Sequence, residues 1–189
     1  MATILPADLA HVIDDCDTAD RRADTLVSGL SESQLNWQSE PGRSWSIGQC
    51  LDHLATMNSL YTEAMQRALS TTIESMTSYR PIRPGWFARW FIRSLEPPPR
   101  IKMRSPNKGV PKSTVSKASV LRAFLDSQEV VRSTARACAT LDPNAVRFVN
   151  PFIRQVRVSM GAGLLILSAH TRRHLWQAER VRERADFPK

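Results

Sequence analysis

Glycine is scarce here, with seven in 189 residues, and 42% of the chain is apolar, so collagen-like repeats and wholesale disorder are both excluded. Cysteine is scarcer still. Cys16, Cys50 and Cys138 are odd in number and widely spaced, which makes no disulfide framework and fits a reducing compartment. Long apolar runs are missing: the longest, Met160 to Ala169, is too short to span a bilayer. Residues 1–15 carry neither the basic stretch nor the continuous apolar stretch of a secretion signal, so a cytoplasmic protein is expected. No internal repeat or low-complexity tract occurs.

Acidic residues are missing from one region in particular. The chain has 26 Lys and Arg against 18 Asp and Glu, a formal charge of +8. Between residues 76 and 117 there are ten basic residues and a single acid, Glu96, so this stretch alone carries +9 and everything else about −1. Seven of the twelve prolines fall in it, the mark of a non-helical connection.

On both sides of this basic stretch the apolar spacing is helical. A first helix is expected over residues 7–30, with Leu9, Val12, Ile13, Cys16, Ala23 and Val27 on one face and Gly29 as a stop signal. A second opens at Ser46, whose hydroxyl can cap the first turn while Gln49 reaches back, and runs to about Glu74. Residues 86–95 form a short apolar helix inside the basic stretch. Two more are expected over residues 116–141 and 158–185. With no convincing strand, the chain reads as one all-α domain spanning residues 1–189, an antiparallel four-helix bundle with a long basic connection between its second and third helices.

Histidines carry the chemistry. His170 and His174 stand about 40° apart on the last helix and share its apolar face with Gly163, Leu167 and Val181. Burying two unpaired imidazoles is costly, so they need partners. A metal would satisfy both, and so would a carboxylate or carbonyl from a facing helix. His53, at the edge of the second helix's apolar stripe, is a third imidazole, and three with an open position make the ligand set of a catalytic divalent site. His11 reads as a surface residue. Asp20, close to the first helix's stripe, could accept the N–H of a ligand histidine, or else pair with Arg21 or Arg22. Cys50, one turn before His53, is either core or a fourth ligand. Asp52 and Glu179 project away from the histidine face, and Trp37, Trp45 and Trp176 read as apolar bulk at helix junctions.

The stretch Leu35 to Leu54, with Trp37, Pro41, Gly42, Trp45, Ser46, Gln49 and His53, followed by Tyr61 and by His170-Thr171-Arg172-Arg173-His174-Leu175-Trp176, resembles the DinB-like superfamily. The resemblance implies a four-helix bundle holding a divalent metal, most often nickel or zinc, with His53, His170 and His174 as its ligands. It also implies an enzyme: family members include S-transferases and isomerases that use a low-molecular-weight thiol such as bacillithiol, mycothiol or glutathione. Relatives often carry Glu after the first histidine of the pair; Thr171 stands there and supplies no carboxylate base. A thiol-dependent S-transferase or a hydrolase using metal-activated water, acting on a small molecule, is therefore expected. The alternatives are a non-catalytic metal-binding or stress-associated bundle and a basic interaction module. Relatives often form homodimers, and exposed aromatics near Trp86 could serve that interface.

Three readings stay open for the basic stretch, residues 80–117. Trp86, Phe87, Trp90 and Phe91, interleaved with Arg89 and Arg93, could lie on a membrane surface, contact nucleic acid, or cover the end of the bundle as a lid. The lid is the preferred one, since long loops in small domains often serve as lids or binding loops.

Overall fold

In the computed structural model, residues 5–71, 78–99 and 105–189 are described. They contain six α-helices: α1 (Ala7–Val27), α2 (Glu32–Leu35), α3 (Ile47–Ser70), α4 (Trp86–Leu95), α5 (Lys117–Ala137) and α6 (Met160–Arg182). A two-stranded antiparallel ribbon, β1 (Arg147–Val149) with β2 (Arg157–Ser159), pairs Phe148 with Val158. The chain is thus mostly helical, as expected, but the ribbon corrects the reading of a strandless chain. Three residues per strand are too few to show alternation in sequence. The ribbon also shortens the last helix, because residue 158, expected to be helical, belongs to β2. The part of the second helix expected beyond residue 71 lies outside the described residues.

Local signals set the ends of α3. The Ser46 side chain accepts from Gln49 N, and Gln49 Oε1 accepts from Ser46 N, both at 3.1 Å, a complete capping box. The helix ends where the C-cap Thr71 N–H turns back to Ala68 and Leu69. α1 stops at Val27, two residues before Gly29, whose φ of +74° reverses the chain.

The four long helices pack in a ring, and their contacts fix their directions. Arg22 meets Glu179 and Asp15 meets Arg172, so α1 and α6 run parallel. Asn58 bonds to Ser127 and Gln128 while Gly48 abuts Val115, so α3 and α5 also run parallel. Lys117 bonds to Leu30 O and Arg132 to Asp17 on one wall; His53 meets His170 and Met65 lies beside Gly163 on another. These two walls, α1 with α5 and α3 with α6, are antiparallel. The expectation of an antiparallel bundle is therefore corrected: each long helix has one parallel and one antiparallel neighbour. This accounts for the long connection. A chain leaving α3 must travel back along the 24-residue helix, about 36 Å, before α5 can begin in the same direction.

The core has two apolar clusters. One gathers Met57, Tyr61, Met65, Phe148, Leu164 and Leu167; the other gathers Leu35, Ile47, Leu51, Leu54, Phe124 and Leu175. His53 on α3 and His170 and His174 on α6 fall in sequence between members of the two. No helix among the described residues is long and apolar enough to cross a membrane.

Candidate metal centre

One ring nitrogen from each of His53, His170 and His174 lies within 4.8 Å of the others, and His53 Nε2 is 3.2 Å from His170 Nε2. Four ligands of a tetrahedral site with bonds of about 2.0–2.1 Å stand about 3.4 Å apart, so that separation suits two nitrogens on one ion. The ring centroids are 4.6–5.0 Å apart. His53 and His174 are buried and His170 is partly exposed.

Hydrogen bonds on the far side of two rings set their tautomers. His53 Nδ1 is 2.5 Å from the Gly109 carbonyl oxygen, which can only accept, so Nδ1 carries the proton and Nε2 keeps its lone pair. His174 Nδ1 is 2.9 Å from Gln177 Oε1 and is likewise the donor, leaving its Nε2 unprotonated. Partners of this kind orient a histidine that ligates through its other nitrogen. Trp45 closes one side, its ring 5.4 Å from His174 and nearly parallel to it, and 4.7 Å from His53.

All three imidazoles are held neutral. Burial lowers the pKa of His53, partly opposed by the Gly109 carbonyl and Asp52. Burial, reinforced by the neighbouring histidines and Arg173, pushes His170 well below its usual value. His174 is pushed down to about 3 by burial, with His53 and Arg173 adding to the effect. Neutral imidazole is the form that binds a cation, so the donor set, its spacing and its protonation suit a divalent metal.

The structure sorts the remaining expectations. Asp20 does not reach the histidines: it pairs with Arg132, which also bonds Asp17 at 2.8 Å, and its Oδ1 is left without a partner. Arg132 is thus its cation, rather than Arg21 or Arg22. Cys50 is fully buried, its thiol held protonated by burial, and it is not part of the converging group. Asp52 is engaged by Lys112 and Glu179 by Arg22, so both carboxylates are occupied away from the site. Arg172 is bound by Asp15 and Glu96. His11 is exposed.

Two contributors were not legible as site residues. Trp45 reads as junction packing, although it stands inside the stretch that carries the family resemblance. Gly109 belongs to a short 3₁₀ turn, Asn107–Gly109, within the basic connection. A Cβ there would lie 2.8 Å from Met57 Sδ and 3.3 Å from His53 Cε1, so any side chain would crowd the methionine and the ring that this carbonyl approaches. The turn is fixed on α3 by Lys112 N donating to Asp52 and by Gln49 Nε2 donating to Lys112 O. The basic connection does meet the site, but through this backbone and not through Trp86, Phe87 and Trp90, which face solvent.

Comparison with curated proteins and with solved structures returned no match. The sequence profile of the DinB superfamily matches residues 16–178, a span containing all three histidines, Trp45 and Gly109. The chain belongs to the DinB superfamily.

Proposed function

We propose that this protein is a metal-dependent enzyme whose divalent ion, nickel or zinc, is held by His53, His170 and His174. We read its four long helices as the family's four-helix bundle. The observation that carries the proposal is the convergence of three neutral imidazole nitrogens, two of them with their lone pairs fixed from behind by Gly109 and Gln177. A structural metal site is normally closed by four protein ligands, whereas three leave a position for substrate. Among the described residues the group has three. An ion bound there would supply Lewis-acid activation of a water or stabilise a thiol as its thiolate.

The chain's own residues do the rest. Gly109 and Gln177 hold two ligand rings in one tautomer, and Trp45 keeps water from their faces. With Asp52 and Glu179 engaged elsewhere, no carboxylate among the described residues joins the histidine group as a general base. That favours a cosubstrate that becomes nucleophilic by losing its own proton on binding. The reading is a cytoplasmic transferase that moves an electrophilic group of a small molecule onto a low-molecular-weight thiol. Hydrolysis by metal-activated water is the second reading, since the same open position would admit water.

The test has two stages. Metal analysis of purified protein should find nickel, zinc or a similar ion near one per chain, lost in His53→Ala and His170→Ala. The loaded protein is then offered glutathione and a generic electrophile such as 1-chloro-2,4-dinitrobenzene. Conjugate formation above the uncatalysed rate, absent in His170→Ala, supports the transferase. Full metal content with neither conjugation nor ester hydrolysis would make the site structural, and absence of stoichiometric metal would sink the reading altogether.

A further inference from the structure

The ten residues of α4 divide sharply by face. Leu95 is buried, and Phe91 and Ile92 pack on the core. Turned away from it are Trp86, 76% exposed, Phe87, 59%, and Trp90, 53%. Trp86, Trp90 and Arg93 lie within about 60° of one another on the helix, and Arg89 borders them. Exposing three large aromatic side chains together is unusual for a surface that meets only water. Their rings touch: Trp86 meets Phe87 edge-on at 5.8 Å, and Phe87 meets Trp90 at 5.8 Å, so they form one continuous apolar patch. Among the described residues, Arg83, Arg89 and Arg93 are exposed and have no acidic partner within ion-pair distance.

The β1–β2 ribbon continues the theme. It exposes Val149, Ile153 and Val156 beside the exposed Arg154 and Arg157. Ile82, three residues before Gly85, packs so closely on Gly161 that a Cβ there would lie 2.7 Å from it. The start of α4 and the ribbon that leads into α6 are thereby brought to one end of the molecule.

We propose that the Trp86–Phe87–Trp90 face of α4, with Arg83, Arg89 and Arg93, attaches this protein to an anionic phospholipid surface. Charge complementarity selects the occupant. Tryptophan and phenylalanine partition to the boundary between headgroups and acyl chains, and arginines beside them meet lipid phosphates and carboxylates. A second copy fits less well, because a two-fold pairing of this face would bring Arg89 and Arg93 of one copy toward those of the other. Single-stranded nucleic acid needs separate ring faces on which bases can stack, and these rings are packed against each other. At ten residues the helix is too short to span a bilayer, so its exposed face can only meet the surface. This attachment stands whether or not the histidine site is catalytic.

The test is co-sedimentation of the intact protein with vesicles of phosphatidylcholine alone and of phosphatidylcholine with about 30% phosphatidylserine. The expected result is at least tenfold more protein bound to the anionic vesicles, reduced severalfold by raising salt to about 0.5 M. Trp86→Ala with Trp90→Ala should abolish binding. Arg89→Gln with Arg93→Gln should remove the preference for anionic lipid. Unchanged far-UV circular dichroism and metal content show that both double variants remain folded. The proposal is overturned by equal background sedimentation with both vesicles, or by anionic binding that survives both double variants. It is equally overturned if the vesicles capture nothing while Trp86→Ala with Trp90→Ala abolishes self-association or binding to single-stranded DNA.

Discussion

Gly109 supplies only a backbone carbonyl, yet it decides which nitrogen of His53 is free. Gly109→Ala would drive a methyl into Met57 and the His53 ring and push that carbonyl away. Loss of such an outer partner typically weakens metal binding about 10–100-fold, and calorimetric titration of the metal-free variant should show a drop of that size with the helical spectrum unchanged. His174 gives a second prediction, in pH. In the unfolded chain its imidazole takes up a proton near pH 6.5, whereas in the folded chain it resists protonation down to about 3. The unfolded state therefore binds more protons as pH falls, and the metal-free fold loses stability across that window while keeping it in full above it. Urea unfolding of metal-free protein at pH 7 and pH 5 should show a total loss of about 2 kcal/mol from this residue between the two. His174→Gln should flatten the slope.

At the scale of the element, α3 is the part that the sequence describes best. Ser46 and Gln49 announce its start, and the buried cap is the one expected. Ser46→Ala should cost about 1 kcal/mol, read as a lower urea midpoint with unchanged slope. The shared face of His170 and His174 is also legible, because spacing on a helix fixes direction, whereas it is the family resemblance that joins His53 to them. What stayed hidden depends on partners distant in sequence. Asp20 lies near the apolar stripe of α1 as expected, but only the fold shows that Arg132 of α5, and not a histidine, takes it. Arg132 is largely buried among Asp17, Asp20 and Glu129. Replacing it by alanine leaves Asp20 without its cation and should cost about 3 kcal/mol, at the low end for a buried pair because Asp20 keeps some contact with water. The ribbon and the Gly109 turn were illegible because three-residue elements carry no periodicity to read.

Over the whole molecule, the +8 charge is concentrated in one segment that does two things. Its first half carries α4 with its outward aromatic face, and its second half carries the carbonyl that orients His53. A metal bound only by the folded chain stabilises it by mass action, by about 2.7 kcal/mol when the free ion stands at a hundred times its dissociation constant. Chelation should therefore lower the melting temperature by several degrees, added zinc or nickel should restore it, and His170→Ala should show neither response.

The parallel pairing of α1 with α6 and of α3 with α5 bears on how fast the chain can fold. Helical proteins usually fold quickly because neighbours in space are neighbours in sequence. Here Arg22 and Glu179 are 157 residues apart and Asn58 and Gln128 are 70 apart, while the antiparallel walls join Asp17 to Arg132 across 115 and His53 to His170 across 117, so every wall of the ring forms only after a long loop has closed. Stopped-flow refolding should be slow for a helical chain of this size, with a rate set by the connections rather than by helix formation.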